Sequence, residues 1–367
     1  MPDSKERAPR YDYVLLVPTL LLLGLGLVAT FSASSFIADH KFGDSYFFLK
    51  KQASFCLIGL GLMVVAKNIP CTFYSRLVYP MLMVTFFLLV LLLIPGVGIT
   101  VGGASRWIGL GGMTFQPSEL VKLTLAVYIA YSMAKKGPHM SIFSKGFLPH
   151  LMVSGAFMAL ILFQPDLGTT VIIGCWLLIL LFVGGARLLH LITIALMFLP
   201  VVFWLISQAD YRVKRWWAFL NPWEDPQGLG FQIIHSFLAF GSGGIFGLGL
   251  GNSKQKMFYL PEPHTDFILS ILAEELGLVG LTVIVMLFAI LIMRGIKIAL
   301  NAKDLYSTYL AFGISALFGL QVLINMGVVM GLLPTKGLTL PLISYGGSSL
   351  VVSLLGIGVL LSISARK

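Results

Sequence analysis

Asp266 closes the stretch GLGLGNSKQKMFYLPEPHTD (247–266), in which a glycine-rich basic segment runs through an aromatic-proline turn to His264-Thr265-Asp266. An apolar helix follows, with Glu274 and Glu275 in its first turns. An ionisable group costs about 2.5–3.5 kcal/mol at the centre of a membrane span by insertion scales, and one where an exposed loop enters such a span is a functional candidate. Beside Lys254, Lys256 and His264, the Asp266 carboxylate could serve as a general base. The plain alternative is an N-cap aspartate accepting backbone N–H groups, worth about 1 kcal/mol. The spacing 266, 270, 274 puts Asp266, Ser270 and Glu274 on one helix face and turns Glu275 elsewhere.

Only fifteen acidic residues occur in the chain. Five sit at or within apolar runs: Glu119, Asp166, Asp266, Glu274 and Glu275. Glu119 and Lys122, three apart, can form an intrahelical ion pair. Asp166, in QPDLGTT, can cap the helix after it, with a second polar site as the other reading. Arg106 beside Trp107 is either a headgroup anchor or a phosphate ligand, since its planar fork matches phosphate oxygens. The basic-aromatic cluster Arg212, Lys214, Arg215, Trp216, Trp217 reads as a segment in the headgroup layer or as a trap for an anionic lipid-linked substrate. The glycine run GSGGIFGLGLGN lacks P-loop order, and no His, Cys and carboxylate set has metal-site spacing.

These residues need a scaffold, and composition says which kind. Of 367 residues, 57% are hydrophobic and 11% charged, against about 25% charged in soluble domains. Recurring runs of about 20 apolar residues predict an all-α polytopic membrane protein of about ten helices. The spans fall near 13–36, 47–66, 76–95, 117–134, 147–163, 168–184, 190–207, 266–293, 306–330 and 345–363. The net charge of +10 is scattered between these runs, which suits anionic headgroups better than nucleic acid. The Lys and Arg bias predicts both termini inside. That orientation gives one domain over 1–367, with a cytoplasmic tail at 1–12, an outer loop at 96–116 and a long outer loop at 207–265. The three cysteines read as packing residues.

Four segments in order, ASRWIGLGGMTFQPSELVKL (104–123), QPDLGTT (164–170), GLGLGNSKQKMFYLPEPHTDFILSILAEELGL (247–278) and LPLISYGGSS (340–349), resemble the SEDS family, named for shape, elongation, division and sporulation. GNSKQKMFYLPEPHTDFI is closest to its division branch. The resemblance implies a peptidoglycan glycosyltransferase that polymerises lipid II and releases undecaprenyl pyrophosphate at the outer face of the bacterial cytoplasmic membrane, at the septum. It implies a cognate class B penicillin-binding protein, an FtsI-like transpeptidase, with other divisome proteins and membrane lipids around it. The family's catalytic aspartate maps onto Asp266, its Glu–Lys pair onto Glu119 and Lys122, its loop arginine onto Arg106 and its QPD aspartate onto Asp166. Lys254, Lys256, His264 and Ser344 fall in the matching segments as supporting residues. No organic cofactor is expected; either Arg106, Lys254 and Lys256 or a bound divalent cation, magnesium or manganese, would hold the pyrophosphate, and Asp266 is either base or metal ligand. Two other readings stand beside the enzyme. A lipid II flippase needs ionisable groups along the whole membrane depth, and a non-catalytic division scaffold makes Asp266 dispensable.

Overall fold

The computed structural model describes residues 12–101, 104–228, 230–256 and 263–366. The tail at 1–11 and the MFYLPE segment at 257–262 lie outside the described residues. The helices are α1 (Tyr13–Phe42), α2 (Phe47–Asn68), a short α3 (Cys71–Arg76), α4 (Val78–Leu91), α5 (Pro117–Lys136), α6 (Leu148–Phe163), α7 (Leu167–Val183) and α8 (Leu188–Ser207), then α9 (Asp210–Leu220), α10 (Phe231–Gly243), α11 (Ile268–Leu300), α12 (Leu305–Val329) and α13 (Gly347–Ser364). Among the described residues, seven helical stretches are long and apolar enough to cross a membrane. Helices α4 and α7 are apolar but shorter, and α5 carries Glu119, Lys122, Lys135 and Lys136.

The bundle core is α13 along α2, with α12 lying between α11 and α5, and α1 against α11. Helix α5 is buried along nearly its whole length. Such a helix can hold a charged pair only where another group neutralises it. Helix α8, by contrast, buries only Leu191 and Ile194 among its residues. Its apolar surface matches hydrocarbon, which needs no protein partner.

The loop at 96–116 departs from the all-α expectation. It folds into a three-stranded antiparallel sheet: β1 (Ile99–Val101), β2 (Ala104–Leu110) and β3 (Met113–Phe115). The cause is local. Gly111 and Gly112 take φ of 54° and 86°, the positive pair a two-residue hairpin turn needs, and β-branched and aromatic residues flank them. The long loop at 207–265 is likewise partly helical, since α9 and α10 lie within it.

Helix α11 is broken at Gly277, where φ is 65° and ψ −168°. That region is essentially restricted to glycine. The break brings the chain at 244–249 alongside: Leu278 N–H donates to Gly244 O (3.0 Å) and Val279 N–H to Ile245 O (3.1 Å). A Cβ at Gly277 would also stand 2.6 Å from Ile245 O. We therefore expect Gly277→Ala to lower stability by about 1–3 kcal/mol from the backbone alone. An unchanged thermal midpoint in detergent would contradict it.

Candidate active site

Asp266 sits in a turn at 263–267 and is half-buried, while the N-cap of α11 is Phe267. The capping role therefore does not hold for it. Ser270 and Glu274 do share a face and turn toward α10, where Ser270 Oγ meets Ser236 Oγ at 2.9 Å. Asp266 precedes the helix. Two contacts hold the backbone of this turn. Asn325 Nδ2 on α12 donates to Asp266 O (3.1 Å) and to Leu338 O (2.7 Å), and Tyr345 N–H donates to His264 O (2.9 Å).

The turn between α12 and α13 is the hub. Asp266 Oδ2 lies 3.3 Å from the point where a Cβ on Gly337 would stand. Ser344 is buried and staples this turn: its Oγ accepts from Leu340 N–H (2.8 Å), while its carbonyl accepts from Gln52 Nε2 on α2 (3.2 Å). Leu342 takes φ 66° there, a costly conformation for a branched side chain that only dense surroundings hold in place. Gln116 N–H donates to Ser348 Oγ (2.8 Å), tying the sheet to the start of α13.

Lys336 reaches from the hub toward Asp166. Asp166 Oδ1 and Lys336 Cδ both lie 3.7 Å from the Cβ position of Gly168. Burial pushes the Lys336 ammonium below the ordinary lysine range, opposed by Cys175 and Asp166. Sequence reading missed Lys336, Asn325 and Gln52. The signal for Lys336 was there, a lysine in an outer LPTKG turn beside a quoted motif.

Asp166 caps α7, accepting from Thr169 N–H (3.0 Å) and Thr169 Oγ1 (2.9 Å). Arg106, on β2, donates to Gln164 O (3.1 Å) and Pro165 O (2.5 Å), so in this conformation its fork holds the turn before Asp166. Glu119 Oε2 and Lys122 Nζ form the predicted intrahelical pair at 2.7 Å, with side chains 10% and 5% exposed. A cavity of about 20 Å³, lined also by Gln321 and Ser353, adjoins them.

Around the basic loop the structure divides the lysines. Lys254 is exposed, whereas Lys256 is buried and pairs with Glu275 (3.3 Å). His264 packs against Phe48 and Tyr345, and burial, with Lys41 next, lowers its imidazole to about 4. It is therefore neutral at pH 7 and adds no positive charge beside Asp266. Among the described residues, no three His, Cys, Asp or Glu side chains converge on a metal site. A half-buried carboxylate with a cation-bearing turn beside it can take a proton from a hydroxyl and face a multiply charged anion.

The family model described as "Cell cycle protein" (FtsW, RodA, SpoVE) matches residues 13–367. The "Probable peptidoglycan glycosyltransferase FtsW" of Geobacter sulfurreducens is 50% identical over 97% of this chain and 96% of its own. The stage V sporulation protein E of Bacillus subtilis is 47% identical over 98% of both chains. Among solved structures, a chain of a peptidoglycan synthase complex that coordinates polymerization and crosslinking superposes with a TM-score of 0.80 at 29% identity, covering 97% of this chain and 98% of that one. The rod shape determining protein RodA of Thermus thermophilus gives 0.71 at 29% identity, with 96% of both covered.

Proposed function

The chain belongs to the FtsW, RodA and SpoVE family of cell-cycle proteins, and from that premise we infer its activity: it is a multi-pass membrane peptidoglycan glycosyltransferase of cell division. The observation that carries this is identity along nearly the full length with relatives of that name. A crosslinking partner is supported by the structural neighbour, a chain of a peptidoglycan synthase complex that coordinates polymerization and crosslinking.

We propose further that the substrate is lipid II and the partner a class B transpeptidase of the FtsI type, within the divisome at the septal cytoplasmic membrane. Ten spans with both termini inside put Asp266, Asp166, Arg106 and Lys336 at the outer face, where the lipid-linked donor is presented. The donor sugar is α-linked to pyrophosphate. Asp266 takes the proton of the acceptor 4-hydroxyl as its oxygen bonds to the anomeric carbon, and the bond from that carbon to the pyrophosphate oxygen breaks. One displacement inverts the centre to β-1,4 and releases undecaprenyl pyrophosphate. Lys254 and Lys336 face the departing charge.

A divalent cation, magnesium or manganese, would need only one carboxylate from the protein here. Magnesium is commonly held by one or two carboxylates together with substrate phosphates. Asp266 would hold it, and it would neutralise pyrophosphate charge.

Two measurements test this reading. The linkage of polymer made from synthetic lipid II should be β throughout; α-linkages or a trapped glycosyl-enzyme would rule out single displacement. Lys336→Gln should raise KM for lipid II by about tenfold, a loss typical of one charged hydrogen bond. An unchanged KM would remove Lys336 from the pyrophosphate site.

A further inference from the structure

Glu274 and Glu275 are both buried, and both reach the same stretch of loop. Glu274, fully buried on α11, accepts from Ser253 Oγ, from the backbone N–H groups of Lys254 (3.2 Å) and Gln255 (3.3 Å), and from Ser242 Oγ on α10 (3.3 Å). Glu275 accepts from Lys256 Nζ (3.3 Å) and from Ser32 Oγ on α1 (2.5 Å), and the Lys256 ammonium also donates to Gly251 O (2.5 Å). Gln255 Oε1 meets His235 Nδ1 at 2.7 Å. Two adjacent carboxylates thus fasten four consecutive loop residues, 253–256.

The backbone repeats the pattern. Leu248 N–H donates to Glu274 O and Gly249 N–H to Glu275 O, each at 3.0 Å. With the two bonds across the Gly277 break, the chain at 244–256 is stitched to α11 from end to end. A carboxylate removed from water is costly unless donors surround it. Here the donors come from a glycine-rich loop with no regular structure of its own to hold it. An apolar residue at 274 would fill the space and leave two loop N–H groups unfastened.

We propose that Glu274 is a positioning residue: its carboxylate fixes the 253–255 loop in one geometry so that Lys254 faces the pyrophosphate. This rests on the glycosyltransferase reading of the site. Glu275 with Lys256 anchors the following step of the same loop to α1. Glu274 itself touches no reacting atom.

The test combines loop mobility with kinetics in the complex with the penicillin-binding partner. A spin label goes on Lys254→Cys in a Cys175→Ala background, the other cysteines being buried. Glu274→Gln should make that label clearly more mobile while the complex still elutes as one species. Glu274→Gln with native Lys254 should lose about tenfold or more in polymerisation kcat/KM, as a small misplacement does. Adding Lys254→Gln to it should cost nothing further, because both changes act through one group. Ser253→Ala, which removes a single donor, should move both readouts the same way, by about two- to fivefold in rate; it decides the matter if Glu274→Gln does not fold. Three results would overturn the proposal: activity within twofold of wild type, losses that multiply in the double variant, or lost activity with the label as immobile as before. If wild type itself makes no polymer, the glycosyltransferase reading fails, and label mobility still decides whether Glu274 holds the loop.

Discussion

Asp266→Asn should leave a folded protein that binds its partner and makes no measurable glycan. Asn keeps the size of the side chain, and two contacts at this turn are to backbone atoms: Asn325 to Asp266 O and Tyr345 to His264 O. The substitution therefore removes the proton acceptor and leaves those two backbone contacts in place. General-base catalysis is worth about 10²–10⁴ in rate, so loss of the base takes turnover below ordinary detection. A holder of the pyrophosphate cation at the same atom would be lost as well. Rates of labelled polymer formation check this beside thermal unfolding in detergent. Polymer at the wild-type rate from Asp266→Asn would end the assignment.

Lys122→Ala should be the most destabilising single change in the membrane-embedded core. The pair with Glu119 is at 2.7 Å, and both side chains are nearly sealed from outside. Removing one partner of a buried pair costs about 3–5 kcal/mol, because the other charge stays behind uncompensated. The adjoining cavity of about 20 Å³ has room for roughly one water, too little to hydrate a carboxylate fully. The double change Glu119→Gln with Lys122→Met should recover most of the loss, since it leaves no unpaired charge. The measurement is the thermal midpoint of each variant in one detergent. An unchanged midpoint for Lys122→Ala would contradict a buried pair.

What the sequence makes legible here depends on how far a residue's role is set by its own neighbourhood. The Glu119–Lys122 pair and the Asp166 cap are local, three residues apart in each case, and the structure carries both. Glu275 turning to another helix follows from helical spacing alone, and it meets Ser32 on α1. Roles set by distant chain were not legible. Arg106 offered two readings because its partners, the carbonyls of Gln164 and Pro165, belong to another connection, and only the small sheet brings it there. Lys336 stands beside Asp166 because α7 and the turn after α12 share one end of the bundle. Lys256 read as a cation for substrate, while the fold gives it a buried carboxylate. The Asp266 cap failed for a local reason instead: the helix begins two residues later, after a turn.

The central claim is that this chain polymerises the lipid-linked disaccharide itself. The most direct measurement is product formation from labelled lipid II by the purified protein with its penicillin-binding partner in detergent, where no membrane separates two sides. A polymerase should yield long strands there. No polymer under those conditions, together with transfer of lipid II across sealed vesicles by the same preparation, would contradict the account.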